Sequence, residues 1–284
     1  MPTNQISHIL TIDFESWILS EKIRGGKLTN NELLHLDDNF VQKSLDKILE
    51  ILNKYHQKLT FFVCFKLEDL YPGTIEKIIE NGHEIGWHGY SHKPITNTKT
   101  LKSEIDLSRK YLRKYKIKGF QAPGIMFFKN GYKLLKENGF VYSSSTYGQP
   151  QNVIKIDGIV EIPVSTTKNV SFENSFQTTQ LNPRSLLQFG LPFGSSYFWS
   201  LLGKKFYNHI LTKASNKREP VNFFVHNWQI TPAWSKSNEY IPDEKESFLK
   251  NPFYLPYKKN VSDMLEYLLS RHKFLKMIDF VRET

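Results

Sequence analysis

The chain of 284 residues carries 38 lysines and arginines against 28 acidic residues, a formal net charge of +10, and 39% of its residues are apolar. This composition excludes a disordered chain, and no apolar run approaches the roughly 20 residues of a membrane span. Residues 1–7 show no signal peptide. We therefore expect one cytoplasmic domain over residues 1–284. Because the lysines are scattered, the charge predicts no nucleic-acid binding; it fits a solvated surface or attraction to phosphorylated sugars or to the inner membrane surface.

Apolar runs alternate with helical patterns along the chain. Predicted strands cover residues 8–13, 59–65, 83–87, 119–121, 140–142, 159–163, 221–225 and 275–280, and predicted helices cover residues 41–52, 75–79, 101–115, 130–138 and 259–270. The polar stretch from 18 to 35 contains a Gly-Gly pair and is predicted to be a loop. This alternation predicts a parallel α/β sheet with outer helices, in which chemistry sits on loops after the carboxyl ends of the strands.

Three groups of polar residues follow predicted strands: Asp13-Phe14-Glu15, the segment His88-Gly89-Tyr90-Ser91-His92, and His226. Two histidines four apart on a helical turn face the same way and can bind one metal ion, and a carboxylate completes a two-histidine, one-carboxylate site. A second carboxylate can then accept a proton from a metal-activated water while another histidine protonates a leaving group. Taken singly, each group also fits an ordinary role as a helix cap, an exposed histidine pair or a structural histidine.

The sequence around these groups resembles the polysaccharide deacetylase (NodB-homology) family, carbohydrate esterase family 4, from about residue 8 to 280. The most specific match, residues 81–92, reads Asn-Gly-His-Glu-Ile-Gly-Trp-His-Gly-Tyr-Ser-His. Further matches to the family's motifs lie at residues 10–15, 59–63, 120–123, 139–145 and 223–228, and residues 160–163 and 191–194 resemble a bacterial subgroup of exopolysaccharide and lipopolysaccharide deacetylases. The resemblance implies an irregular (β/α) barrel with about seven parallel strands and outer helices.

The resemblance also implies a role for each polar group. Asp13 would be the general base, His226 the general acid, and His88 and His92 metal ligands. The second aspartate of the family's usual Asp-Asp pair is a phenylalanine here, so we assign the third metal ligand to Glu15. In the alternative assignment, Asp13 binds the metal and Glu15 caps a helix.

Two positions depart from the family's pattern. Gln121 stands where the third motif begins with arginine, and Ser143 where the fourth motif has aspartate; in the family these residues orient the base and the acidic histidine. A glutamine can still hydrogen-bond a carboxylate but supplies no positive charge, and we interpret the paired exchange as tuning because a candidate for every role remains. The backbone through Pro123 is expected to line the site, and Trp87 and Trp228 to pack around it or to stack on a sugar ring.

We therefore predict a metal-dependent hydrolase that removes an acetyl or formyl group from the nitrogen of an amino sugar. Zn²⁺ suits the ligand set best, and Co²⁺, Mn²⁺ or Fe²⁺ could substitute. The expected substrate is a phosphate- or lipid-linked cytoplasmic precursor of lipopolysaccharide, capsule or exopolysaccharide. Two alternatives stay open, a non-catalytic carbohydrate-binding protein on the same fold and an amidohydrolase acting on a non-sugar amide or cyclic ureide, as does the oligomeric state.

Overall fold

The computed structural model describes residues 6–20, 25–26, 28–149, 152–168, 170–176, 184–231 and 261–283. The strands are β1 His8–Phe14, β2 Thr60–Val63, β3 Glu84–Trp87, β4 Gly119–Phe120, β5 Tyr142–Ser143, β6 Tyr147–Gly148, β7 Ile154–Ile156, β8 Ile159–Glu161, β9 Val164–Ser165, β10 Asn222–His226 and β11 Phe274–Leu275. The α-helices are α1 Asn30–Asp37, α2 Phe40–Lys54, α3 Lys66–Leu70, α4 Thr74–Glu80, α5 Thr98–Lys114, α6 Tyr132–Glu137, α7 Ser185–Phe189, α8 Trp199–Lys217, α9 Asn227–Ile230, α10 Ser262–Leu269 and α11 Met277–Glu283. Among these helices, not one has the length and apolar character that a membrane crossing requires.

The main sheet has the strand order β10-β1-β2-β3-β4-β5-β8-β7, and β11 also pairs with the start of β1. Every pairing along this order is parallel except that of β7 with β8. The sheet curls, with helices packed outside it, so the predicted irregular barrel of about seven parallel strands is confirmed. Because the strands are parallel, their carboxyl ends meet at one rim.

A segment that belongs to no strand links β10 to the small sheet β6-β9. The backbone N–H of Gly194 donates to the carbonyl of Ser165 at 2.8 Å, and the Gly194 carbonyl accepts from the N–H of Phe224 at 3.0 Å. A Cβ at position 194 would lie 2.5 Å from the Ser165 nitrogen and 2.6 Å from the Asn222 carbonyl oxygen. Only glycine can therefore occupy this bridge, which connects the two sides of the barrel.

The core explains why the apolar runs form these elements. All residues of β1 and β2 are buried, and α2 buries a stripe at helical spacing that includes Leu45, Ile48 and Leu52. Cys64 is fully buried, as expected of a small apolar side chain in an apolar run. Asn81 ends α4, and the positive φ of Gly82 follows it, which confirms the predicted cap.

The predicted loop over residues 18–35 is partly wrong, because α1 begins at Asn30. Thr29 accepts a hydrogen bond from the backbone N–H of Glu32, and the Glu32 carboxylate accepts one from the N–H of Thr29 at 2.7 Å. The Thr-x-x-Glu pattern of this capping box is present in the sequence and predicts the start of a helix, although the polar composition of the stretch indicates a loop.

The predicted strand over residues 275–280 is wrong in all but its first residue. β11 ends at Leu275, and α11 begins at Met277, whose N–H donates to the hydroxyl of Thr60 at 2.7 Å. Met277 and Phe280 are buried one helical turn apart. The strand predicted at residues 140–142 is β5, which begins two residues later, at Tyr142. Residues 259–260 of the last predicted helix lie outside the described residues.

Candidate metal centre

The rim at the carboxyl ends of the strands brings the three polar groups together. Asp13, near the end of β1, is in register with His226 at the end of β10, and His88 directly follows β3. Glu15 lies just beyond β1, where its backbone N–H donates to the side-chain oxygen of Asn227 at 3.1 Å. Three segments that are far apart in the sequence thus reach one site because parallel strands place them at the same edge.

One ligand atom from each of Glu15, His88 and His92 lies within 4.8 Å of the others. Nε2 of His92 is 2.5 Å from Oε2 of Glu15. Oδ2 of Asp13 is 3.9 Å from Nε2 of both His88 and His226, and Oε1 of Glu15 is 3.4 Å from Nε2 of His226. Two imidazoles and one carboxylate therefore converge, with a second carboxylate and a third imidazole beside them.

The segment from His88 to His92 is a loop, so the helical turn expected for this histidine pair is wrong. Gly89 has φ of +78°, and His92 itself has φ of +58°. The Glu104 carboxylate, on α5, accepts from the N–H of Tyr90 at 2.7 Å and from the N–H and hydroxyl of Ser91 at 2.9 Å each. A buried carboxylate thus shapes the loop that carries His92, and no spacing rule in the sequence identified Glu104.

The chemistry of the donor set fits a divalent cation. Nδ1 of His88 lies 2.9 Å from the backbone carbonyl oxygen of Gln121. Because a carbonyl oxygen can only accept a hydrogen bond, the ring proton is on Nδ1 and the lone pair is on Nε2. That Nε2 is buried and has no hydrogen-bond partner among the described residues. Burial, with the nearby charge of His92, lowers the pKa of His88 to about 3, so the ring is neutral and able to bind a metal at neutral pH.

The two carboxylates have opposite electrostatic environments. Burial first, and then the negative charge of Glu15, raise the pKa of Asp13 well above its usual value. Burial alone would also raise the pKa of Glu15, but the charges of His92 and His226 outweigh it and hold that pKa below its usual value. With its NH₂ group turned toward Asp13, the Gln121 amide donates to Oδ2 at 3.0 Å and also to Oδ1.

His226 is held by Ser196 and Gln229, which no sequence pattern revealed, and by Trp228, which was expected near the site. Its Nδ1 lies 2.9 Å from the hydroxyl of Ser196 and 3.3 Å from Oε1 of Gln229. Trp228 stacks on the imidazole at a centroid distance of 4.5 Å and donates its indole N–H to Oε1 of Glu15 at 2.9 Å. Burial is the main cause that lowers the pKa of His226, and the charge of Glu15 opposes it.

Ser143 and Pro123 are both buried, Ser143 at the end of β5 and Pro123 shortly after β4. The hydroxyl of Ser143 donates to that of Ser145 at 2.9 Å, and Ser145 accepts from the backbone N–H of Ala122 at 2.9 Å. Pro123 is buried at the start of a 3-10 turn, Pro123–Ile125. Ser143 therefore supports the backbone next to Gln121, and among the contacts of the described residues it has none to His226.

Trp87 does not reach the rim. Its indole is fully buried, stacks on Phe140 at a centroid distance of 5.4 Å, and donates to the hydroxyl of Ser108 at 2.9 Å. Packing between sheet and helices is thus the role of Trp87, and the alternative of stacking on a sugar ring is wrong for it. Trp228 is the tryptophan that the structure places in the cluster.

Comparison with known proteins bears on this site directly. Residues 31–143 match the polysaccharide deacetylase family, and the match contains His88 and His92 but ends before His226. Residues 31–143 are therefore similar to the polysaccharide deacetylase domain. Among curated proteins, a peptidoglycan deacetylase of Helicobacter pylori is 32% identical to this chain over 108 residues, 36% of this chain and 36% of that protein. A peptidoglycan-N-acetylglucosamine deacetylase of Bacillus cereus is 26% identical over 121 residues, 40% of this chain and 57% of that protein.

These alignments span less than two thirds of either relative's length. Solved structures share the fold of this chain over nearly its whole length. Puue allantoinase has a TM-score of 0.56 at 14% identity, covering 99% of this chain and 91% of its own. A probable polysaccharide deacetylase from Pseudomonas aeruginosa PAO1 has a TM-score of 0.51 at 13% identity, covering 94% of this chain and 92% of its own. At such identities the likeness concerns the fold.

Proposed function

We propose that this protein is a metal-dependent hydrolase that removes an N-acyl group, acetyl or formyl, from an amino sugar. The observation that carries the proposal is the convergence of Glu15, His88 and His92 within 4.8 Å. Asp13 and His226 lie beside that cluster, with Oδ2 of Asp13 3.9 Å from Nε2 of His226, so one reacting atom can come within hydrogen-bond reach of both. The family match supports deacetylation as the reaction.

Glu15, His88 and His92 would hold the metal, and Zn²⁺ suits two imidazoles and one carboxylate. When bound, such an ion polarises the acyl carbonyl and lowers the pKa of a bound water toward about 7. The backbone carbonyl of Gln121 accepts from Nδ1 of His88 and so keeps the Nε2 lone pair directed at the site. The indole N–H of Trp228 holds Oε1 of Glu15 by a hydrogen bond.

Asp13 would accept the proton of the attacking water. Its carboxylate is almost completely buried, and the Gln121 amide holds both oxygens in place. His226 would donate a proton from Nε2 to the departing amine nitrogen, since that nitrogen faces Asp13 and Glu15 while Nδ1 faces away from the cluster. The two groups are on adjacent strands, so a substrate amide between them meets the base and the acid together.

The names of the curated relatives support an N-acetylated amino sugar as the substrate class, because peptidoglycan contains such sugars. The net charge of +10 suits a phosphate-bearing form of that substrate. Action on a cytoplasmic precursor of lipopolysaccharide, capsule or exopolysaccharide, and a location in the cytoplasm or at the inner membrane surface, stay predictions.

The test combines metal content with acyl release. Wild type, His88→Ala/His92→Ala and the control His35→Ala, which changes an exposed histidine on α1, are purified, loaded with Zn²⁺ and given chitin oligosaccharides, peptidoglycan and a nucleotide-linked N-acetylamino sugar. We expect about one zinc per chain and acetate release in wild type and control, with both lost in the double variant.

Other outcomes separate the alternatives. Glycan binding that survives loss of the metal, without acetate, would indicate a carbohydrate-binding protein. Ammonia or a ring-opened product from a cyclic ureide would indicate an amidohydrolase for non-sugar substrates. A wild type that binds no zinc would contradict the proposed metal centre.

A further inference from the structure

We infer that Ser196 and Gln229 position the imidazole of His226, performing without a charge the task that the resemblance assigns to an aspartate at position 143. The inference rests on the proposed function, in which His226 is the general acid. Ser196, Gln229 and His226 are all buried, so their mutual hydrogen bonds are shielded from bulk water.

Stacking alone does not fix the orientation of the His226 ring. Trp228 lies against one face with an interplanar angle of 21°, and Phe224 contacts the ring edge-on at 5.5 Å. These contacts set the plane of the imidazole. A half-turn of the ring keeps that plane but places carbon atoms where the nitrogens were, so the hydrogen bonds at Nδ1 must select between the two orientations.

Gln229 is itself fixed by two backbone contacts. Its Oε1 accepts from the backbone N–H of His226 at 3.1 Å, and its Nε2 donates to the carbonyl of Ser196 at 3.2 Å. An exchanged amide would lose both bonds, so Oε1 is the atom that faces Nδ1. Residue 229 also closes a capping box with His226, so both its backbone and its side chain lie against Nδ1.

The hydroxyl of Ser196 can donate to or accept from Nδ1, and it is the nearer partner at 2.9 Å. These contacts hold Nδ1 on the side away from the cluster and leave Nε2 as the nitrogen that faces Asp13 and Glu15. Nε2 can then take up one proton and return it to the leaving nitrogen. A wrong tautomer or a flipped ring would remove this function while leaving the residue in place.

The backbone near Ser196 is hydrogen-bonded to the strand that carries His226. Ser196 begins the 3-10 turn Ser196–Phe198, two residues after the glycine bridge that links β9 to β10. The bridge holds β10, which carries His226, and the turn that carries Ser196 in one hydrogen-bonded unit. Ser143, the position of the family's aspartate, is instead bonded to Ser145.

The first measurement compares kcat and KM for deacetylation of a chitin oligosaccharide by zinc-loaded wild type, Ser196→Ala and Gln229→Met. Ser108→Ala is a matched control, because Ser108 is equally buried and also bonds a ring nitrogen at 2.9 Å, that of Trp87 in the core. We expect kcat to fall roughly 10–100-fold in the two site variants, with KM within about twofold of wild type, and no change of kcat in the control.

The second measurement needs no turnover. The ¹⁵N resonances of the His226 ring are recorded in metal-free protein labelled on histidine and are assigned with His226→Gln. In wild type we expect one protonated and one unprotonated nitrogen, and in Ser196→Ala and Gln229→Met we expect the two shifts to approach each other as tautomers interchange.

Unchanged ring shifts in both variants would overturn the inference, whatever happens to kcat. Altered shifts with an unchanged kcat would overturn the catalytic importance of the positioning. If wild type releases no acetate from the oligosaccharide, the proposed function fails with that substrate, whereas the ring shifts still decide whether Ser196 and Gln229 orient His226.

Discussion

Replacing Glu104 with alanine removes the carboxylate that shapes the loop between His88 and His92. That carboxylate accepts three hydrogen bonds, one from Tyr90 and two from Ser91, at 2.7 to 2.9 Å. It is itself buried, and it also lies 3.2 Å from where a Cβ on Gly89 would stand, so the loop is fitted closely around it.

The magnitude follows from these bonds. A hydrogen bond to a charged group contributes about 1.5–3 kcal/mol, but contributions that share one acceptor group do not add fully, and the half-buried Tyr90 and Ser91 can regain water. We expect the free energy of unfolding to fall by about 2–4 kcal/mol. Because His92 is then no longer held toward Glu15, we expect the zinc dissociation constant to rise roughly 10–100-fold.

The assay is urea unfolding of the metal-free protein together with competitive zinc titration of the folded protein. Glu84→Ala is the matched control at the opposite end of β3, where Glu84 accepts bonds from Thr60, Tyr142 and the N–H of Ile278 at 2.6 to 3.0 Å. It should lose comparable stability and keep the wild-type zinc affinity. Wild-type zinc affinity in Glu104→Ala would refute the argument that this carboxylate sets the geometry of His92.

Three further predictions concern other parts of the molecule. Gln121→Leu removes the amide that holds Asp13, so kcat for acyl release should fall about 10–100-fold with little change of KM. A kcat equal to that of wild type would show that these hydrogen bonds to Asp13 are not needed for catalysis. Gly194→Ala places a Cβ 2.5 Å from a backbone nitrogen, so urea unfolding should show a loss of about 1–3 kcal/mol. Burial lowers the pKa of His8 to about 4 from 6.5, so the unfolded chain binds the proton first as the pH falls. This one group should therefore remove about 3 kcal/mol of stability between pH 6.5 and 4, and His8→Phe should make the measured pH dependence shallower by about that amount.

The positions of most parallel strands of the main sheet, and of the histidine and carboxylate groups, were predictable from local sequence, whereas β6, β7 and β9 were not predicted. Buried parallel strands are continuous apolar runs, and polar residues directly after them must lie at one rim. That argument places Asp13, His88 and His226 together without any structure. It fails for residues 275–280, because a short apolar run fits a strand or a buried helical turn equally well, and contacts of Thr60 and Glu84 with the first N–H groups of α11 decide for the helix.

What only the tertiary structure decided is how each site residue is oriented. Glu104, Ser196 and Gln229 act on His92 and His226 through hydrogen bonds, and Glu104 and Ser196 come from segments distant in the chain, so no local period or spacing reveals them. The glycine bridge at position 194 likewise depends on backbone atoms of Ser165 and Asn222, which approach it only in the closed barrel. The sequence by itself determined which chemical groups meet at the rim, since strand direction follows from local patterning, whereas long-range packing determined where each group points.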